Sequence, residues 1–369
     1  MARNFPNMVD YVRDQLDTFA QRDLCRVDSL VFSCLSYLQI PDEALPTLAN
    51  GGMPLRSLYR AEWFDAMCGK AYDPQSTVEL LAAVAASPRF RGVRVCNYEV
   101  RTNELAEQQF SAITFVLSPD ETFVAYRGTD NTLVGWKEDF NMSFQTAVPS
   151  QVSALRYLER VAEQTSGRMW TGGHSKGGNL AVYAGMMCLP TTRARLATCF
   201  SHDGPGFSAQ TMADPRWQHT ARLIDKTIPQ SSVIGMIFEN QEDEYAVVHS
   251  HNLGFAQHDP FSWEVDGLDF AIEERVGTGA RMLDSTVNDW LATTTPEDRA
   301  DFVDAVFSVL SATGMDTMAE MRQNWRTTTP KMLRAVARLD PRQRQLVLGA
   351  VTAVIRTYQR APLAANQRG

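Results

Sequence analysis

Residues 170–181 read Trp-Thr-Gly-Gly-His-Ser-Lys-Gly-Gly-Asn-Leu-Ala and contain the pattern Gly-x-Ser-x-Gly around Ser175. The half-apolar run 168–171 predicts a buried strand before it, and the apolar run 180–187 predicts a buried helix after it. A serine between a strand and a helix adopts a strained backbone conformation, and side chains on its neighbours would obstruct the turn. Gly173 and Gly177 meet this requirement, so the stretch predicts a sharp turn that presents the Ser175 hydroxyl.

The other strand and helix signals place this turn in an α/β fold. Strands are predicted at 93–100, 111–117, 122–127, 196–200 and 232–238, and helices at 9–20, 27–38, 77–86, 152–163 and 208–213. Alternation of strands and helices favours a mainly parallel, twisted sheet with helices on both faces. A serine at a strand-to-helix turn of such a sheet is typical of the α/β-hydrolase fold, which is the fold class that we predict.

Three segments are predicted along the chain. Residues 1–90 form a helical segment packed on the core, 91–267 form the hydrolase core, and 268–369 form a helical extension or cap. Helices are predicted in this last segment at Leu268–Leu291, Pro296–Leu310 and Arg342–Tyr358. These helices contain no motif, so we expect a packing layer, with a lid over the site as the functional alternative.

Composition limits the classes of function. The chain has 369 residues and a net charge of −8, without basic runs, which disfavours nucleic-acid binding. No apolar stretch is long enough to span a bilayer, and the polar N-terminal segment predicts no signal peptide. The six cysteines have neither paired nor metal-ligand spacing. We therefore expect free thiols in a reducing compartment, which points to the cytoplasm.

A nucleophilic serine needs amide donors that stabilise the oxyanion of the transition state. One donor is expected to be the backbone N–H of Lys176, the residue after the serine. The second is expected in the segment 126–130, at the end of a predicted strand. Gly128 lets the backbone bend close to the substrate there, and Thr129 offers its amide or its hydroxyl; an ordinary β-turn at Gly128 is the alternative.

The serine also needs a histidine base. The order serine, acid, histidine that this fold uses excludes His174. Five histidines follow the serine: His202, His219, His249, His251 and His258. His202 comes too early in the chain to follow an acid on a later strand, and His219 lies in a predicted surface insertion. His249 and His251 flank a polar turn. The pattern favours His258 without deciding for it, because aromatic residues and a proline in the loop 257–263 can hold that side chain rigidly.

An acid must orient the histidine, and it is expected just past the predicted strand 232–238. The acidic stretch 239–245 follows this strand, and Asp243 is our choice within it over Glu244 and Glu239. Asp203, in the turn 201–207, is the main competitor. Its glycine and proline neighbours allow it to cap a tight turn instead.

Together these motifs resemble an uncharacterised bacterial family of lipase-like proteins, a domain of unknown function related to the class 3 lipases of the α/β-hydrolase superfamily. The resemblance spans roughly residues 27–263, and its motifs lie at 126–130, 135–139, 173–181, 203–207 and 257–263. It implies a lipase-like fold with Ser175 as nucleophile and His258 as base. Because the family has little assigned function, no substrate follows from it.

Lys176 departs from class 3 lipases, which usually carry leucine at this position. A cation beside the oxyanion hole has two interpretations. It favours an anionic substrate group, or it pairs with Asp130, Glu138 or Asp139.

We therefore expect a serine hydrolase that cleaves an ester or related acyl bond of a small-molecule or lipid-like substrate. Ser175, His258 and Asp243 would form its triad, and the reaction needs no metal or organic cofactor. Two alternatives stay open: a non-catalytic binding or scaffold protein on the same fold, and an acyltransferase or thioesterase with the same triad. No residue excludes a peptidase.

Overall fold

A sheet of nine strands forms the centre of the protein in a computed structural model, which describes residues 5–69, 71, 73–103, 105–129, 133–142, 147–232, 234–236, 245–274, 276–277, 293–315, 324–349 and 352. The described residues form eleven strands, nine of them in this sheet: β1 (Met53–Pro54), β2 (Arg94–Asn103), β3 (Gln108–Ser118), β4 (Glu121–Tyr126), β5 (Arg168–His174), β6 (Leu196–His202), β7 (Ile224–Pro229), β8 (Tyr245–Val248), β9 (Val265–Asp266), β10 (Asp269–Phe270) and β11 (Ile272–Glu273). The order in the sheet is β1-β2-β3-β4-β5-β6-β7-β8-β11, and β9 pairs with β10 separately.

The sheet is parallel in one half and antiparallel in the other. Strands β4 to β8 form four successive parallel pairs, whereas β1 to β4 and the pair β8–β11 are antiparallel. A tight turn joins β3 to β4, which only an antiparallel pair allows, while helices connect β4 to β5 and β5 to β6. The predicted α/β-hydrolase fold is confirmed, with a mixed sheet whose parallel half carries Ser175.

Helices cover both faces of the sheet. They are α1 (Met8–Asp14), α2 (Arg26–Leu35), α3 (Leu45–Ala49), α4 (Phe64–Cys68), α5 (Pro74–Ala86), α6 (Leu133–Asn141), α7 (Pro149–Gln164), α8 (Lys176–Met187), α9 (Pro190–Arg193), α10 (Ala209–Met212), α11 (Trp217–Ala221), α12 (Pro296–Ser311) and α13 (Trp325–Arg338). Short 3-10 turns lie at Leu55–Leu58, Ala61–Trp63, Ile234–Met236, Gly254–His258 and Pro260–Ser262. Within the described ranges, no helix is long and apolar enough to cross a bilayer. All six cysteines are free thiols.

Alternate residues of β4 supply two separate cores. Phe123 and Ala125 pack with the N-terminal helices, and Val124 and Tyr126 pack with α7 and α8 on the opposite face. On the first face, the ring of Phe32 in α2 lies 5.2 Å from that of Phe123. The N-terminal helices therefore pack on the sheet, while the predicted domain boundaries at 90 and 267 stay a prediction.

Two predicted elements are wrong. The strand predicted at 232–238 lies earlier, as β7, and Ile234–Met236 forms a 3-10 turn. Asp225 and Lys226 interrupt the apolar pattern of β7, which hides it in the sequence. Residues 269–273 form the short strands β10 and β11 where a helix from Leu268 was predicted, and residues 278–292 lie outside the described ranges. The helix predicted at Pro296–Leu310 is confirmed as α12.

A buried ion pair ties the N-terminal helices together. The guanidinium of Arg89 donates to both carboxylate oxygens of Asp28 in α2, at 2.8 and 2.5 Å, and both side chains are fully buried. It also donates to the carbonyl oxygens of Asp17, Arg22 and Asp23. All the charge and hydrogen-bonding capacity of this guanidinium is thus used inside the protein.

Replacing Arg89 with methionine is expected to lower the free energy of unfolding by about 3–5 kcal/mol, because the Asp28 carboxylate stays buried without its cation. Chemical denaturation followed by circular dichroism measures this change. The matched control is Arg91→Met, whose exposed side chain is expected to change stability by about 0.5 kcal/mol or less. Equal stability of the two variants would contradict the prediction.

Candidate active site

Ser175 lies in a strained turn between β5 and α8. Its φ is +59° and its ψ is −134°, a conformation that side-chain-bearing residues rarely adopt. A methyl group built on Gly173 would lie 2.2 Å from the carbonyl carbon of Gly177, and one on Gly177 would lie 2.2 Å from the carbonyl oxygen of Tyr126. The turn predicted from the glycine pattern is present, and neither glycine position has room for a side chain.

His258 is held by a carboxylate. Its Nδ1 lies 2.6 Å from Oδ2 of Asp203, and the Asp203 side chain is almost completely buried whereas the His258 side chain keeps one fifth of its surface exposed. The loop that carries His258 is fixed by the indole N–H of Trp263, which donates to the carbonyl of Gln257 at 2.8 Å. The aromatic residues of this loop thus hold it as the sequence predicts.

Asp203 follows β6 directly and occupies the second strained backbone position of the site, with a φ of +50°. Its Oδ1 accepts hydrogen bonds from the Ser232 hydroxyl at 2.5 Å and the Gly235 amide at 3.1 Å. Burial disfavours the charged carboxylate, but the hydrogen bond and charge of His258, together with the hydrogen bond from Ser232, outweigh it, so the pKa of Asp203 lies below its ordinary value. Asp203 is therefore ionised at neutral pH and fully hydrogen-bonded.

Three other carboxylates are expected from the sequence as candidates for this role. Asp243, Glu244 and Glu239 all lie outside the described residues. Among the carboxylates that the structure describes, Asp203 is the one whose hydrogen bond to His258 Nδ1 is seen.

His174 lies between Ser175 and the His258 loop. Its ring centroid is 4.5 Å from that of His258, and its Nε2 lies 2.8 Å from the His258 carbonyl oxygen. Burial and the neighbouring His258 ring lower the pKa of His174 to about 3, so it is neutral. A neutral ring can donate from Nε2 to that carbonyl, which makes His174 a support for the His258 backbone.

Gly128 packs against the serine. A methyl group built on it would lie 3.1 Å from Cβ of Ser175 and 2.2 Å from the hydroxyl oxygen of Tyr37. The backbone can pass here only because position 128 has no side chain. The Thr129 hydroxyl donates to Asp139, which leaves the Thr129 amide rather than its hydroxyl for an oxyanion.

Lys176 is buried in a network of charged and polar groups. Its side chain is fully buried, and Nζ lies 3.1 Å from Glu138 Oε2 and 3.5 Å from Asp139 Oδ1. Nζ also donates to the carbonyl of Gln109 at 3.1 Å. Burial raises the pKa of Asp139 to about 6, and the lysine opposes that rise. Of the two interpretations of Lys176, the structure shows the ion pair, with Glu138 and Asp139; Asp130 lies outside the described residues.

His202 and His219, two other histidines that follow the serine in the chain, have different surroundings. His202 is completely buried, and its Nε2 lies 2.7 Å from the Ser29 hydroxyl oxygen in α2. His219 is exposed in α11. Neither imidazole hydrogen-bonds to Ser175 in the contacts that the structure describes, in agreement with the order argument for His202 and the surface position predicted for His219. The His202 backbone does contact the serine, because its carbonyl oxygen accepts a hydrogen bond from the Ser175 amide at 2.9 Å.

Sequence reasoning missed Tyr37. Its hydroxyl lies 3.4 Å from both Nδ1 and the carbonyl oxygen of His174, beside Gly128. The predicted helix 27–38 ends at Leu35, which places Tyr37 in the turn that reaches the site. No local pattern marks this residue, because its contacts are 91 or more residues away in sequence.

Comparison with protein families gives one match. A family model described as Mbeg1-like matches residues 84–308, which is more than half of the chain. The match begins later and ends further along the chain than the predicted resemblance over 27–263. It includes every residue of the site described above except Tyr37 and Ser29. A comparison with curated proteins gives no match.

Several solved lipase structures are weakly similar. The lipase from Rhizopus microsporus var. chinensis shares 14% identity, with 71% of this chain and 93% of that chain covered and a TM-score of 0.35. The Rhizomucor miehei lipase propeptide complex shares 12%, with coverages of 51% and 71% and a TM-score of 0.33. M37 lipase shares 13%, with coverages of 56% and 68% and a TM-score of 0.34. Identity at this level says nothing about substrate.

Replacing Lys176 with methionine is expected to lower the free energy of unfolding by about 3–5 kcal/mol, because two carboxylates lose their buried cation. Adding Glu138→Gln should recover part of this loss, because this second substitution removes the charge of one of these two carboxylates. Urea denaturation of the single and double variants measures both effects. The control, Lys331→Met, changes an exposed lysine. A Lys176→Met protein as stable as that control would show that the ion pair does not support the fold.

Proposed function

The chain belongs to the Mbeg1-like family, and we propose that it is a serine hydrolase that cleaves ester or related acyl bonds. The observation that carries this proposal is the contact of 2.6 Å between His258 Nδ1 and Asp203 Oδ2, at the edge of the sheet where Ser175 occupies its strained turn. A buried carboxylate on one nitrogen of a partly exposed imidazole is the arrangement that makes a histidine an effective base for a serine.

The proposed reaction begins at the Ser175 hydroxyl. Its oxygen attacks the acyl carbon while His258 takes the proton at Nε2, because Nδ1 is held by Asp203. The ionised Asp203 stabilises the imidazolium that forms, and His258 then returns the proton to the departing alcohol. Water repeats the sequence on the acyl-enzyme and releases the acid. Asp203 takes the role that the sequence predicted for Asp243.

Backbone amides would stabilise the oxyanion. Lys176 begins α8, so its amide lies at the helix N-terminus, where the helix dipole also favours negative charge. The backbone at Gly128 and Thr129 lies beside Ser175 and would supply the second donor. Each such donor is typically worth about 3–4 kcal/mol of transition-state stabilisation.

The buried, paired state of Lys176 bears on the charge of the proposed substrate. Because Lys176 is buried and paired, it would not bind an anionic substrate group. We therefore propose an uncharged acyl ester, either a small molecule or a lipid-like one, as the substrate. The helices of the segment 268–369 would act as a cap.

Labelling with a fluorophosphonate probe tests the nucleophile. The wild-type protein is expected to be labelled and Ser175→Ala to remain unlabelled, because the probe reacts only with an activated serine. The matched control is Ser29→Ala, which removes a serine whose hydroxyl oxygen lies 2.7 Å from Nε2 of His202 and is expected to keep the label. Labelling of Ser175→Ala, or its loss in Ser29→Ala alone, would refute the assignment.

Hydrolysis of nitrophenyl esters of graded acyl length tests the acid. Asp203→Asn is expected to lower kcat/KM by about 10³–10⁴-fold, because an amide cannot hold His258 in the required tautomer. Asp243→Asn, assayed beside it, is expected to keep activity near that of the wild type. The reverse result would assign the role to Asp243. Loss in neither variant would remove the triad from the proposal.

A further inference from the structure

A second cluster of chemically active side chains lies at the far edge of the sheet, where β8 pairs with β11. Three of its residues, His249, His251 and Glu264, each offer a ligand atom, and these atoms lie within 4.8 Å of one another. We propose that these residues bind a divalent transition-metal ion, with Zn²⁺ as the best fit. The proposal concerns a site separate from the Ser175 chemistry and stands whether or not that serine is a nucleophile.

The backbone explains why the three side chains meet. His249 and His251 are two residues apart on an extended segment, so both point to the same side. The neighbouring segment runs antiparallel, with the Glu264 amide donating to the His249 carbonyl at 2.9 Å and the His251 amide to the Ser262 carbonyl at 3.0 Å. The cluster is therefore built on hydrogen-bonded backbone and does not depend on a loose loop.

The side-chain contacts bring the proposed ligand atoms together and orient them. His251 Nε2 lies 2.7 Å from Glu264 Oε2, a hydrogen bond that a shared ion would replace, since metal–ligand bonds of about 2.0–2.2 Å hold two such atoms somewhat further apart. His249 Nδ1 lies 2.6 Å from Glu273 Oε1, and a carboxylate on one ring nitrogen is the contact that orients histidine ligands in zinc sites. The ring of Phe5 stacks on His251 at 3.7 Å and fixes its plane.

The donor types select the metal. Imidazole nitrogen with carboxylate oxygen suits Zn²⁺, whereas Ca²⁺ and Mg²⁺ prefer oxygen ligands alone. The two histidines keep about a third of their side-chain surface exposed, so an ion can enter from solvent. Two glutamates in the cluster balance the charge of a divalent cation.

The site would have a consequence for the loop that carries His258. The segment 252–263 lies between His251 and Glu264, so an ion bound to both residues adds a side-chain link to the backbone hydrogen bonds that already join the two ends of that loop. Such a link lowers the freedom of the segment between its ends. We therefore assign the metal a positioning role, outside the reacting groups.

The test is titration of Zn²⁺ into the metal-stripped full-length protein by calorimetry. One Zn²⁺ per chain with micromolar or tighter affinity is expected. His249→Ala, His251→Ala and Glu264→Gln should each weaken binding at least tenfold, and Glu273→Gln about tenfold. The matched control His219→Ala removes an exposed histidine elsewhere and should bind as the wild type does.

Hydrogen exchange gives an independent readout. Zn²⁺ is expected to slow amide exchange in residues 252–263 of the wild type and of His219→Ala, but not of Glu264→Gln, which keeps the shape of the side chain. Absence of Zn²⁺ binding by the wild type, or unchanged affinity in His251→Ala and Glu264→Gln, would overturn the site. Neither measurement uses a substrate, so failure here leaves the proposed hydrolase activity untouched.

Discussion

The positive φ of Ser175 is the constraint on which the site depends. It reverses the chain between β5 and α8 and brings the start of the helix against the end of β4, so that Gly177 lies over the Tyr126 carbonyl. Backbone packed this closely excludes side chains at both flanking glycines. The strain is tolerated because β5 is an interior strand, hydrogen-bonded on both sides, and α8 is almost entirely buried.

Parallel pairing then brings the proposed acid to the serine. In the register of β5 with β6, His174 lies opposite His202, so the next residues, Ser175 and Asp203, emerge side by side at the same edge. Both have positive φ, and both leave the sheet at a sharp turn. Carboxyl ends of parallel strands are where α/β proteins place their ligands, because the connections there are free to vary.

The buried charges around Lys176 also hold the elements of the site together. Glu138 accepts hydrogen bonds from the Ser150 hydroxyl and amide as well as from Lys176, so α6, α7 and the serine turn share one polar centre. Removing a charge from water is costly, and only full pairing offsets that cost. The lysine beside the candidate oxyanion hole therefore links three elements and offers no charge to a ligand.

Local pattern determined much of this protein. The glycines around Ser175 and the apolar runs on either side defined the strand, the turn and the helix, because steric rules and periodicity act within a few residues. They could not identify β7, whose charged residues conceal a strand that pairing stabilises. The sequence pattern places a strand at 232–238 instead, and the expected acid, Asp243, after it. The contact of Asp203 with His258, the position of Tyr37 and the meeting of His251 with Glu264 depend on strand register and on chain returning from far away in sequence. Only the tertiary structure decides such contacts, since no short-range pattern encodes which distant segments become neighbours.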